Sequence, residues 1–137
     1  MGSDMYAHIE YKPRTPLRGQ EYEHFAEVYV EREYRLFALL GGRQYSGVVE
    51  PLYDFRGLPK DMSSRLKWEH EENGSSIASW LSLTEFKNVQ EWHENWFVND
   101  ANRGITDNYR ILKAIVRVME FFEEDNPNST RLVFWFD

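Results

Sequence analysis

Arg131-Leu132-Val133-Phe134-Trp135-Phe136, almost the last residues of the chain, decide how the fold is read. Five bulky apolar side chains in succession, most of them β-branched or aromatic, favour a strand. Left at the edge of a sheet, such a strand would template pairing with another chain. It is therefore read as a central strand, and the rest of the sequence must supply its neighbours and its cover.

Three other segments have strand character. In residues 5–11 Met5, Ala7 and Ile9 alternate with Tyr6, His8 and Glu10, the period of a half-buried strand. Residues 24–31 place Ala26, Val28 and Val30 on one face and Phe25, Glu27 and Tyr29 on the other. Pro13, Pro16 and Gly19 lie between these runs, so a hairpin with a polar loop is expected. Residues 76–81 form the fourth strand.

Helical patterns fill the intervals. Residues 33–40 lack a polar face and predict a short buried helix stopped at Gly41-Gly42. Asp61 or Ser63 caps a helix reaching about Glu72. Ser82-Leu-Thr-Glu85 is a capping box opening a helix over 84–98, with Phe86, Val89, Trp92, His93, Trp96 and Phe97 on one side. Thr106 caps a helix over 106–124, whose stripe comprises Ile111, Ala114, Ile115, Val118, Met119, Phe121 and Phe122. The expected fold class is α+β: one domain over 1–137, an antiparallel sheet of about four strands, and two main helices packed on one face. Trp80, Phe86, Ile115, Val118, Phe122 and Phe134 are expected in the core.

Composition bounds the function. The 137 residues carry 16 Lys and Arg against 23 Asp and Glu, net −7. A phosphate-gripping protein needs a basic surplus, so no nucleic acid partner is expected. The absence of cysteine removes disulfides, thiolate zinc sites and cysteine nucleophiles. No apolar run approaches a bilayer span and no signal-peptide core opens the chain, so no membrane partner and a cytoplasmic location are expected.

Catalytic patterns are sparse. No pair among His8, His24, His70 and His93 has the i, i+4 spacing of a helical metal site. His8 and His24 could face each other across the hairpin, but two solvent-facing strand histidines are the commoner arrangement. His93, on an apolar helix face, reads as a satisfied core histidine. The five tryptophans read as core rather than as base-stacking platforms. No Gly-x-Ser-x-Gly elbow, Walker A loop or Gly-x-Gly-x-x-Gly occurs. No catalytic residue, metal or cofactor is nominated.

One constellation remains. Loop 43–60, shaped by Gly47, Pro51, Gly57 and Pro59, carries Arg43, Tyr45, Tyr53 and Arg56. Two guanidinium forks and two phenol rings suit an anionic, nucleotide-like ligand. The rival account pairs each arginine with an acidic side chain or a backbone carbonyl.

Met1-Gly-Ser-Asp4, Tyr34-Arg-Leu-Phe-Ala-Leu-Leu40 followed by Arg43, Arg56-Gly-Leu-Pro-Lys-Asp-Met-Ser63, Ser79-Trp-Leu-Ser-Leu-Thr-Glu85 and Arg131-Leu-Val-Phe-Trp-Phe-Asp137 occur in that order. Together they resemble an uncharacterised family of small bacteriophage and prophage proteins, also found in some bacteria. The resemblance implies that Met1 is the native start, but it brings no activity. Such proteins often carry a histidine soon after the N-terminal Asp and another before Ser-Trp-Leu. Tyr6 and, approximately, Ser76 stand there instead, which weakens an enzyme reading. The expected function is that of a phage-type accessory protein in the host cytoplasm, binding a host protein or a small anionic ligand without chemistry. Alternatives are a small hydrolase or nuclease near Asp4 and His8, or an assembly protein acting through an aromatic surface. Homo-oligomerisation is left open.

Overall fold

The structure, a computed structural model, describes residues 4–16, 19–41, 50–73, 77–99 and 106–137. Four strands, β1 (Met5–Tyr11), β2 (Glu23–Val30), β3 (Ala78–Ser82) and β4 (Thr130–Phe136), form one antiparallel sheet in the order β2-β1-β4-β3. The apolar C-terminal strand is interior, as its composition demands, and every residue of β4 is buried. Among the described residues, four helices complete the α+β fold: α1 (Tyr34–Leu39), α2 (Ser64–Asn73), α3 (Leu83–Asn99) and α4 (Asn108–Glu123).

The helices α1, α3 and α4 cover one face of the sheet. Leu36, Phe37, Phe86, Val89, Leu112, Ile115 and Met119 pack there on Met5, Ala7, Ile9, Leu132, Phe134 and Phe136. The opposite face is also covered. Leu66 of α2 and Met62 close over Ala78, Val133 and Trp135, with Tyr6, Leu58 and Trp80 at the margin. Hence β1 is not half-buried: His8 and Glu10, on its polar side, are buried as fully as Ala7 and Ile9.

Local signals explain the helix boundaries. Ser63 Oγ accepts the Leu66 N–H at 3.3 Å and starts α2. The Ser82–Glu85 box closes reciprocally. Glu85 N–H donates to Ser82 Oγ at 3.3 Å and Ser82 N–H donates to Glu85 Oε1 at 3.0 Å. Ser82→Ala is expected to cost about 1 kcal/mol, read as a lower denaturation midpoint at unchanged m-value.

Several expectations are corrected. In α4 the buried residues are Asn108, Leu112, Ile115, Val116 and Met119, while Phe121 is exposed and Val118 and Phe122 are half-buried. The helix is rotated from the stripe read in the sequence, because Leu112, Ile115, Val116 and Met119 form the contiguous i, i+3, i+4, i+7 row that meets the sheet. Trp80 is half-buried, and Trp68 and Trp92 are exposed. Thr106 lies one residue before the N-cap position of α4. Its Oγ1 accepts the Asn108 N–H at 3.4 Å and donates to Glu33 Oε1 at 3.0 Å.

The hairpin register shifts at Ile9/Glu10, so Ala26 opposes Ile9 but His24 opposes Glu10, leaving Phe25 unpaired. This bulge turns Phe25 out of strict alternation and onto the face of α4, where it meets Phe122.

Candidate functional site

Tyr53 and Arg56 come together; Arg43 and Tyr45 lie outside the described residues. Gly57, at φ 74°, adopts a left-handed conformation that lets the chain turn back after Arg56. Arg56 N–H donates to Ser79 Oγ at 3.0 Å, tying the segment to β3. Its Nη1 donates to Glu85 Oε1 at 2.6 Å and to the Trp80 carbonyl at 3.3 Å, and its Nη2 donates to Glu85 Oε2. Both prongs of the fork therefore hold the carboxylate that also closes the α3 capping box. Hydrogen bonding from Arg56 pulls the Glu85 carboxyl down to about 2.

The guanidinium lies over Trp80, 4.7 Å from the ring centroid, and 5.9 Å from that of Tyr53. Tyr53 Oη accepts from Asn88 Nδ2 at 2.8 Å. Arg56 thus anchors the loop to β3 and α3. Arg56→Lys keeps the charge but loses the planar fork; it is expected to cost about 1–2 kcal/mol, reduced by partial solvent exposure. An unchanged thermal midpoint would leave the fork free for a ligand instead.

A second arginine, which the sequence reading did not single out, joins this face. Arg131 sits 6.0 Å from the Trp80 centroid and 3.5 Å from that of Tyr22. Its Nε donates to the fully buried Glu10 at 2.8 Å, and its Nη1 donates to Asp61 at 2.8 Å. Burial would raise the Asp61 carboxyl, but Arg131 outweighs it and holds the group below its ordinary value. Glu10 Oε2 accepts the Ser63 N–H at 2.8 Å, so the same carboxylate receives the start of α2. Nothing in the spacing of residues 10, 61 and 131 announces this cluster.

Asp4 and His8 do not form one site. Asp4 Oδ1 accepts from Arg32 Nε at 3.0 Å, and its N–H donates to Asp137 Oδ1 at 2.7 Å. His8 is about 13 Å further along an extended chain and is buried beneath α2. The expectation of two solvent-facing strand histidines is corrected. His8 Nδ1 lies 3.0 Å from His24 Nε2, and the His8 ring stacks on Trp135 with centroids 4.9 Å apart. His70 approaches the same indole edge-on at 5.0 Å. Burial, then His24 and Arg65, pushes His8 down to about 3; burial and Arg65 also lower His24. No group of three or more His, Asp or Glu among the described residues is arranged to hold a metal.

His93 is the satisfied core histidine that its position implied. Its Nε2 lies 2.7 Å from Glu33 Oε2, and Glu33 Oε1 accepts from Thr106 and Asn108. Burial alone would raise Glu33, but these hydrogen bonds, led by that from His93, hold it below its usual value. The cluster joins the chain after β2 to the start of α4.

An aromatic surface lies at the other end of α4. Tyr11 stacks on Phe122 with centroids 4.8 Å apart, and Phe25 meets Phe122 edge-on at 4.9 Å. Phe121 adjoins Phe122 at 6.3 Å. Phe121 is 70% exposed and Phe25 48%, so the cluster continues into solvent. It borders a groove of about 350 Å3 formed by residues 11–14, 121, 122 and 124–126. Lys12 pairs with Glu21 at 3.1 Å, and Arg14 pairs with Asp125. Glu124 lines the groove and makes no ion pair among the described residues. No helix among the described residues is long and apolar enough to cross a membrane. No family model, curated protein or solved structure matches the chain.

Proposed function

We propose that this chain is a non-catalytic binding protein, of the phage-accessory kind that its sequence resembles, and that it docks a segment of a host protein on the Tyr11–Phe25–Phe121–Phe122 surface. The observation that supports this reading is the exposure of Phe121 and Phe25 in a continuous aromatic cluster beside a groove. Contiguous apolar exposure of this kind marks interaction surfaces, whereas scattered apolar residues do not. Aromatic side chains bury a large area on docking at low entropic cost.

The expected occupant is an apolar or aromatic segment flanked by lysine or arginine. Among the described residues the groove's own cations are already paired and Glu124 is not, and the chain as a whole carries net −7. Complementarity to that field speeds encounter with a basic partner.

Selection of random displayed peptides on the purified protein tests this. Enriched peptides should combine an aromatic or large aliphatic residue with a nearby Lys or Arg. Phe121→Ser with Phe25→Ser should weaken their binding by ten-fold or more at an unchanged circular dichroism spectrum. Peptides binding the double variant equally well would refute the reading. Concentration-dependent dimerisation abolished by the same changes would assign the surface to a second copy instead.

A further inference from the structure

The sheet ends at β2, and no described backbone group pairs with its outer edge. In a two-strand ladder, alternate residues turn their N–H and C=O groups away from the neighbour. The register to β1 is regular from Ala26 to Val30 and shifts only beyond it, at Phe25. Ala26–Val30 therefore offers about 17 Å of regular edge, at ~3.4 Å per residue.

Side chains sort to the two faces beside that edge. Tyr29 and Glu27 oppose Tyr6 and His8, on the α2 side of the sheet. Helix α2 leaves both exposed, Tyr29 by 75%. Phe25 lies on the other face, against Phe122 of α4. The strand carries Glu23 and Glu27, Glu21 and Glu31 flank it, and it contains no Lys or Arg. Glu27 makes no ion pair among the described residues.

We propose that the segment docked on the aromatic surface is an extended strand, alternating large apolar and basic residues, added to the outer edge of β2. This rests on the docking surface proposed above and assigns the conformation and pattern of its occupant. Main-chain hydrogen bonds along Ala26–Val30 hold the strand. Every second side chain falls on the α4 side, beside Phe25 and Phe122, and the others fall beside Glu27 and Tyr29. Lysine or arginine there answers Glu27 and lies over the Tyr29 ring. A second copy fits less well. Its β2 would bring the same glutamates to an acidic edge, in a chain of net −7, and like charges across a strand pair are destabilising. Charge on an edge discourages self-pairing and leaves the edge open to a strand of opposite charge.

The probe is a synthetic peptide, Lys-Phe-Lys-Val-Lys-Val-Lys-Phe-Lys, capped at both ends. Calorimetric titration into the unaltered protein should show saturable binding. Main-chain N-methylation of one alternate set of peptide residues, or of the other, is the deciding comparison. A strand points only one set of N–H groups at β2, so one methylated peptide should bind about ten-fold or more weakly and the other like the parent. Amide exchange of the labelled protein should slow at alternate residues of Ala26–Val30 when peptide is bound. Glu27→Lys should also weaken binding, at an unchanged circular dichroism spectrum. Equal effects of the two methylated sets, or no binding of the alternating peptide, would overturn the proposal. If peptides selected by display still required Phe25 and Phe121, the docking surface would stand without it. A peptide-free dimer whose β2 amides are already protected would also overturn it.

Discussion

Replacing Arg131 with methionine is expected to lower the unfolding free energy by about 3–5 kcal/mol, a large part of the stability of a domain this size. Glu10 is wholly buried, and Arg131 is its only charged hydrogen-bond donor among the described residues. Without the guanidinium, the remaining partner of the side chain among the described residues is the Ser63 N–H, and a carboxylate would stay enclosed beneath α2 with no described cation paired to it. Asp61, nearly half exposed, would recover its solvation and lose little. Pairing Arg131→Met with Glu10→Leu should restore part of the loss, because an apolar pair does not carry the desolvation cost of a lone charge. Equilibrium urea unfolding of both singles and the double provides the cycle. If the double were no more stable than Arg131→Met alone, the loss would come from packing against Tyr22 and Trp80 and not from the stranded carboxylate.

The second large effect is acid lability above the carboxylate range. His8 is held down to about 3 and His24 is lowered, so the folded protein keeps both rings neutral where the unfolded chain protonates them near 6.5. The unfolded state then binds more protons, and stability falls as pH falls. The contribution is fully present above about pH 6.5 and is lost progressively below it, toward about 3 for His8. Over that window His8 contributes up to about 1.4 kcal/mol per pH unit, and His24 adds a slope only over the range by which its own ring is lowered. Around the pair, Arg65 opposes protonation of both rings, while Glu10, Glu69 and Glu27 favour it at His24. Glu33, Asp61 and Glu85, whose carboxyls are lowered in the folded state, add their losses only at lower pH. Between pH 6.5 and 5 the slope should therefore belong to the histidines. Replacing His8 and His24 together with glutamine should flatten stability across that window. An undiminished slope in the double variant would place the acid-sensitive groups elsewhere.

Much of the architecture was written in local pattern. The apolar run 132–136 had to be interior, and β4 lies between β1 and β3. Ser82 and Glu85 close the box that their spacing predicts, and His93 is a satisfied core histidine. These features depend on residues a few positions apart, or on hydrophobicity too strong to leave at an edge.

The candidate sites were less legible, since each depends on contacts between distant segments. Helix α2 offers little apolar periodicity, yet Leu66 and Met62 cover the second face of the sheet and bury His8 and Glu10. A one-residue bulge turned Phe25 toward Phe122, and the rotation of α4 left Phe121 in solvent. Glu10 and Arg131 meet across 121 positions of sequence because β1 pairs with β4 in the register Glu10↔Arg131. Periodicity specifies that a face is apolar; the phase of a helix and the cover on a strand's polar side follow from which complete packing leaves the fewest voids and unpaired buried groups, and only the tertiary structure decides that.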